Sequence, residues 1–306
     1  MGLSHRAVPA AAVFAALPFL SPHQVLAHGF AGDRFFPATI LTDDPFVADE
    51  MSLPTLTYGP PGSDGSRQLD LDVDIAKRLT PNLGIQLGGT WSRLKSPGLP
   101  GVTGLNGMSA ELDYQLFTDA PHEATAMIGL AADFGHTGRV QALGASDFTT
   151  VSPLVDFGKG FGDLPDSVPY LKPIAVTGNF SLDFPTKDQS AGTPNPHNFN
   201  YGFAFEYSLE YLQHHVKDVG LTAPFDRMVP LVEVSFSTAL DRGQGGQTVA
   251  TIQPGVIWSG QYVQVGAEAI IPGTRLAGHG YGGVVQFHMY LDDIFPATLG
   301  RPLFGD

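Results

Sequence analysis

Apolar and polar residues alternate one by one along most of this chain, and a pattern of period two restricts it to strands with two unlike faces. Leu69, Leu71, Val73 and Ile75 alternate with Asp70, Asp72 and Asp74. Phe199, Tyr201, Phe203, Phe205, Tyr207, Leu209 and Tyr211 share a face opposite Asn200, Glu206, Ser208 and Glu210. The pattern recurs at 52–59, 83–92, 110–116, 124–134, 149–157, 174–184, 232–237, 252–258, 263–271 and 285–292. It predicts about 12 strands, with about 10 as the nearest variant. No stretch of helical period competes in length.

Alternation does not say which face turns inward. A soluble barrel or sandwich buries its apolar face, whereas a membrane barrel turns it to lipid. The strands run roughly 9–13 residues, nearer the ~9–11 of a membrane strand than the ~5–6 of a soluble one. A ring of about 12 strands is also wider than one layer of side chains can fill, a limit met near eight. The polar face carries Gly, Ser, Thr, Asn, Gln and acids with almost no Lys, which suits a watery lumen better than a soluble edge. Aromatics at strand ends (Tyr58, Trp91, Phe184, Trp258) fit interfacial girdles. The fold class predicted is an all-β, antiparallel transmembrane β-barrel.

Loops support this. The segments 60–66, 93–107, 136–148, 185–198, 240–247 and 272–282 are rich in Gly, Pro, Ser, Asp and Asn, and alternate with tight connections at 78–81, 118–123 and 259–260. Long outer loops and short periplasmic turns are the outer-membrane pattern. Two longer links on the short side, 158–172 and 212–227, are expected to form a short helix or a plug.

The first 27 residues read as an address. Arg6 precedes an apolar run from Ala7 to Leu20, and Val25-Leu26-Ala27 has the small residues of a cleavage site. The run falls short of the ~20 apolar residues that span a bilayer. The expected organisation is a signal peptide at 1–27, a periplasmic segment at 28–51, a barrel at 52–292 and a tail at 293–306, placed in the outer membrane of a double-membrane bacterium.

Composition narrows function. With 15% charged and 43% apolar residues the chain is not a disordered protein. Its net charge of −14 argues against a nucleic-acid partner. Without any Cys there is no disulfide, thiolate nucleophile or thiolate metal site. No Gly-x-Ser-x-Gly or His-x-Ser-Asn-Gly motif occurs, so no catalytic residue is assigned and the chain is read as a non-enzyme with no cofactor. His214 and His215 are adjacent and diverge; His136, His197 and His279 fall in loops, and His288 is an inward strand histidine. Cleavage after Ala27 would expose His28, whose α-amine and imidazole together suit copper. An exported copper-binding β-protein using His28 is therefore the alternative reading.

The chain also resembles the outer-membrane, transporter-like barrels grouped with the MetA-pathway phenol-degradation proteins. The resemblance rests on His28-Gly29-Phe30, Arg34-Phe35-Phe36-Pro37-Ala38-Thr39, Thr42-Asp43-Asp44-Pro45-Phe46, the Gly158–Pro165 segment and Leu291-Asp292-Asp293-Ile294-Phe295-Pro296. It implies a barrel for uptake or export and carries no catalytic residues. One departure is a last strand ending near Asp292, with a tail after it rather than a terminal aromatic.

If the apolar face meets lipid, the lumen is lined by Asp70, Asp72, Asp74, Glu111, Asp113, Asp133, Asp183, Glu206, Glu210, Glu233 and Glu268, with Lys77 the one inward base in the strand cores. Acidic rings favour cations. The function expected is a porin-like channel for small cationic or neutral solutes, with hydrophobic solutes a further class, unless 158–172 or 28–51 plugs the lumen. Its partners are outer-membrane lipid and those solutes; its oligomeric state is not legible.

Overall fold

The computed structural model describes residues 29–42 and 45–305; the leader and His28 lie outside them. Twelve strands close into one antiparallel barrel. In chain order they are β1 (Glu50–Tyr58), β2 (Arg67–Thr80), β3 (Leu83–Lys95), β4 (Val102–Asp119), β5 (Ala124–Phe134), β6 (Thr150–Gly160), β7 (Ile174–Pro185), β8 (Asn198–Tyr207), β9 (Met228–Ala239), β10 (Thr248–Ser259), β11 (Val263–Pro272) and β12 (Gly282–Tyr290). Each pairs with its chain neighbours, and β12 returns to β1 to complete the ring. They correspond one for one to the alternating stretches of the sequence.

The apolar face is outside. Leu87, Trp91 and Phe205 keep 55%, 51% and 50% of their surface exposed, while Glu206 and Glu233, on the other face, keep 3% and 0%. On the outer wall of β6–β9 the aromatics form cross-strand contacts. Phe180 stacks on Phe157 at 6.0 Å and on Phe199 at 6.2 Å, and Tyr201 stacks on Phe236 at 4.8 Å. No helix among the described residues is long and apolar enough to cross a membrane. The strands supply that surface.

Connections sort by rim. One rim carries 81–82, 120–123, 161–173, 208–227 and 260–262, with both ends of the barrel's chain; the other carries 59–66, 96–101, 135–149, 186–197, 240–247 and 273–281. We call these the N-terminal rim and the far rim. Of the two forms expected of the links 158–172 and 212–227, a short helix or a plug, the first is found. They hold short helical turns at Pro169–Leu171, Leu209–Val216 and Phe225–Arg227 on the N-terminal rim.

Three strand-end expectations need correction. β8 stops at Tyr207, because Ser208 caps a helical turn by accepting from the Tyr211 N–H at 3.1 Å. Glu210 and Tyr211 therefore leave the barrel wall, and Tyr211 is buried rather than facing lipid. β12 ends at Tyr290, and Asp292 belongs to the short helix Leu291–Ile294. The inward base near the end of β2 is Arg78, paired across from Gly84; Lys77 has the outward parity and reaches round the strand end to Asp49 at 2.8 Å.

The closing seam is irregular. Both β1 and β12 shift register, at Ser52/Thr55 and at Gln286/His288. A side-chain chain spans it: Ser52 Oγ lies 2.9 Å from His288 Nδ1, and His288 Nε2 lies 3.0 Å from Glu50 Oε2, all buried. Where bulges interrupt the ladder, these bonds tie first strand to last. His288→Leu should lower the unfolding free energy by about 2–3 kcal/mol, since hydrogen bonds to a charged group are worth ~1.5–3 kcal/mol. A heat-dependent gel-mobility transition unmoved by this substitution would contradict the role.

Candidate functional site

The lumen is not empty. Residues 29–42 and 45–49 belong to the segment expected either to precede the barrel in the periplasm or to plug its lumen; they run inside the barrel, and Arg34, Phe36, Ala38, Thr39, Thr42, Val47 and Asp49 are buried there. The physical reason is the width of the ring: side chains of twelve strands do not meet in the middle, and this segment supplies the missing interior. Glycines on the inner wall receive it. A Cβ at Gly84 would lie 2.8 Å from Val47 Cγ1, and one at Gly158 would lie 3.0 Å from both Phe36 Cε1 and Pro45 Cγ.

Four sets of bonds hold the plug. At its foot, a two-residue hairpin pairs Phe30–Ala31 with Arg34–Phe35. Arg34 donates from Nε to Glu123 Oε2 at 3.1 Å, from Nη1 to the Pro173 carbonyl at 3.0 Å, and from Nη2 to the Lys172 carbonyl. Its guanidinium lies 3.9 Å from the Tyr211 ring centroid, and the Tyr211 hydroxyl donates to Glu123 Oε1 at 2.9 Å. Burial, reinforced by this bond to Glu123, pushes the Tyr211 phenol up to about 12, so it stays a donor. One arginine thus binds three turns of the N-terminal rim together.

Midway up, Glu233 forms the clasp. Its carboxylate accepts from the Leu41 N–H at 2.9 Å, the Thr42 N–H at 3.1 Å and the Thr42 hydroxyl at 2.9 Å. Gln264 donates to the Ala38 carbonyl at 2.6 Å. The returning limb is tied by Gln115, which accepts from the Val47 N–H at 3.0 Å and donates to the Pro45 carbonyl at 3.2 Å. At the exit into β1, Asp49 accepts from Arg78 Nε at 2.9 Å and Lys77 Nζ at 2.8 Å. The tail joins this corner: Arg78 donates to the Gly300 carbonyl at 2.7 Å, and Lys77 to that of Leu299, also at 2.7 Å.

The predicted lumen acids divide by height. Glu206 and Glu233 are buried beside or beneath the plug, with Thr177 donating to Glu206 at 3.2 Å and Glu268 lying against Glu233. Glu111 and Asp113 border a cavity of about 130 Å³ along the returning limb, with Asp156. Toward the far rim, Asp72, Asp74 and Asp133 line a vestibule of about 750 Å³ whose floor is Ile40 and Leu41 and over which Gly144–Phe148 folds. Asp183 joins Asp133 and Glu111 around an adjoining space of about 340 Å³. Asp70, above these, accepts from Gln68 at 2.8 Å and from Ser92. Glu210 is on the helical turn at the N-terminal rim and lines none of these cavities.

Two of these acids accept from hydroxyls: Thr90 donates to Asp72 at 2.6 Å and Ser152 to Asp183 at 2.7 Å. Carboxylates, hydroxyls and amides together make the lining of the far half of the lumen polar. The sequence reading missed Arg34, Glu123, Gln115 and the clasp role of Glu233. Glycine on the inner face, which marks the close approach of another backbone, was the local sign of where such a segment would lie. Among the described residues no group of three His, Asp or Glu could hold a metal ion. His197 lies 2.5 Å from Asp241, and His215 stacks on Tyr211 at 4.6 Å. The copper reading rests on His28, outside the described residues.

Glu233→Ala should free the clasp, leaving two buried N–H groups that each cost roughly 1–3 kcal/mol until the segment rearranges. A spin label at Leu41 should then gain mobility; an unchanged spectrum would show that the plug does not depend on Glu233.

No family model matches the chain, and no curated protein matches it in sequence. Solved structures do match in fold. The crystal structure of an outer membrane channel from Pseudomonas putida F1 aligns with a TM-score of 0.52 at 11% identity, covering 79% of this chain and 95% of that one. The NanC porin aligns at 0.49 and 7% identity, covering 78% and 98%, and the KdgM porin at 0.46 and 9%, covering 77% and 97%. With its lipid-facing apolar wall, polar interior and rim asymmetry, the chain has the fold of an outer-membrane β-barrel.

Proposed function

We propose that the protein is a gated outer-membrane channel for small cationic or neutral solutes, with its N-terminal rim in the periplasm. The observation that carries this reading is the division of the lumen into an acidic, water-accessible vestibule and a plug. That plug is held by hydrogen bonds, ion pairs and packing, with no covalent crosslink. A structural barrel needs no vestibule; a permanently sealed one needs no polar clasp that water or a solute could replace. The resemblance to the transporter-like barrels grouped with the MetA-pathway proteins points the same way.

Passage requires the 29–49 segment to shift. Its clasp on Glu233 lies at mid-lumen, and its anchors at Arg34 and Asp49 lie at the N-terminal rim. Displacing the central limb alone would join the vestibule to the spaces beside Glu111 and Asp113. A solute would then meet carboxylates along most of its path, and acidic rings select against anions.

In planar bilayers the intact protein should conduct rarely, while a variant lacking residues 29–46 should conduct steadily with potassium preferred over chloride. Asp72→Asn with Asp133→Asn and Asp183→Asn in that background should lower the preference severalfold. Reversal potentials under a salt gradient measure this. Chloride preference, or no conductance after plug removal, would overturn the reading.

A further inference from the structure

On the outer wall near the far rim, the structure carries positive charge that the lumen does not explain. Arg67 on β2 pairs directly across from Lys95 on β3, and Leu69 pairs across from Arg93. Arg67 shares the outward parity of Leu69 and Leu71, so all three bases stand on the lipid side, one step beyond Leu69, Leu71 and the exposed Trp91. The chain has only 16 Lys and Arg against 30 acids, and three of the bases gather here. Like charges directly opposite on a sheet destabilise it. No ion pair among the described residues involves any of the three. This geometry calls for an anion from outside the chain.

Beside the bases runs a groove of about 680 Å³ on the outer face of β11, β12, β1 and β2. Ala267, Ala269 and Gly283 floor it, and Tyr58 and Tyr281 stand at its upper end. Arg67 overlooks it, with its guanidinium 5.0 Å from the Tyr58 ring centroid and Nη1 3.5 Å from the Tyr281 carbonyl. An apolar trough leading up to a basic cluster at the level of an aromatic girdle matches a lipid with acyl chains below and phosphate above. Arginine is suited to that phosphate because its planar fork donates two bonds at once.

We propose that Arg67, Arg93 and Lys95 bind the phosphorylated headgroup of an anionic outer-leaflet lipid, with one acyl chain lying in the groove floored by Ala267, Ala269 and Gly283. The site rests on the orientation proposed above, which puts the far rim in the outer leaflet. It also explains why a protein of net charge −14 concentrates bases where it would otherwise repel an anionic membrane surface.

Native mass spectrometry of the full chain in detergent, titrated with bis-phosphorylated lipid A, tests this. The wild type should retain the lipid. The combined variant Arg67→Gln, Arg93→Gln, Lys95→Gln should bind it roughly a hundredfold more weakly, from a few-fold loss per base near a charged surface. Lys217→Gln, on the opposite rim, should bind as the wild type does. Ala269→Phe, which fills the groove and leaves every base in place, should also weaken binding and keeps the test open if the triple variant does not fold. Wild-type affinity in a triple variant with normal heat-dependent gel mobility would overturn the proposal. So would equal affinity for dephosphorylated lipid A, or inorganic phosphate displacing lipid A at millimolar concentration. The conductance test does not involve this surface, so either proposal can fail alone.

Discussion

In hydrocarbon an unpartnered backbone N–H or C=O costs several kcal/mol, so a chain that crosses with strands must close its sheet completely. Here closure takes twelve strands, and that number sets everything inside. Around eight strands, inward side chains already touch across the axis; beyond that the middle must hold water or more chain. This protein fills the N-terminal half with residues 29–42 and 45–49 and leaves the far half open. Because the plug is a single irregular strand of chain, its own N–H and C=O groups need partners as well. Glu233, Gln115, Gln264 and Thr125 on the wall supply them, with Thr125 Oγ1 donating to the Pro45 carbonyl at 3.3 Å.

The carboxylates that hold the plug and its rim each have a donor set: Asp49 has Arg78 and Lys77, Glu123 has Arg34, and Glu233 has two backbone N–H groups. Removing one partner from such a buried set leaves a charge stranded, the costly case for ion pairs. In the vestibule Asp72 and Asp183 accept from the hydroxyls of Thr90 and Ser152. The lower half is therefore built to hold shape, and the upper half is left open and polar.

What the sequence made legible follows from how far each signal reaches. Alternation is a local property of a strand, so all twelve strands and the inward parity of Asp72, Asp133, Glu206 and Glu233 could be read directly. Strand ends depend on the next few residues: the apolar parity of Leu209 and Tyr211 continued the pattern, and only the Ser208 cap stopped it. Lys77 shares the outward parity of Leu69 to Ile75, so the alternation itself makes Arg78 the inward base; Lys77 meets Asp49 because its long side chain curls round the strand end. The plug is non-local. Nothing in Arg34 or Thr42 announces that partners lie in Glu123 and Glu233, many residues away. Glycines at 84, 158, 202 and 266, spaced along different polar faces, were its local trace; in the structure they face Val47, Phe36, Thr42 and Ile40.

The plug and the closing seam are mechanically one object. Asp49 ends the plug and Glu50 begins β1; Asp49 holds Arg78, its carbonyl accepts from the Asp292 N–H at 3.1 Å, and Glu50 holds His288. Four pieces of chain from both ends of the sequence, the plug, β1, β12 and the tail, therefore meet at one corner of the N-terminal rim. That corner is bonded too many ways to give first. At the other end the foot is fixed by Arg34 to three turns, and by Phe35 packing edge-on to Tyr290 at 6.3 Å. Between two fixed ends, the limb from Phe36 to Val47 has the clasp on Glu233 as its main polar hold at mid-lumen, supported by Gln264 and Gln115. Motion that opens the lumen without unzipping the seam is thereby confined to this limb, and in the proposed channel the clasp carboxylate is the group a solute or an ion would have to engage to release it.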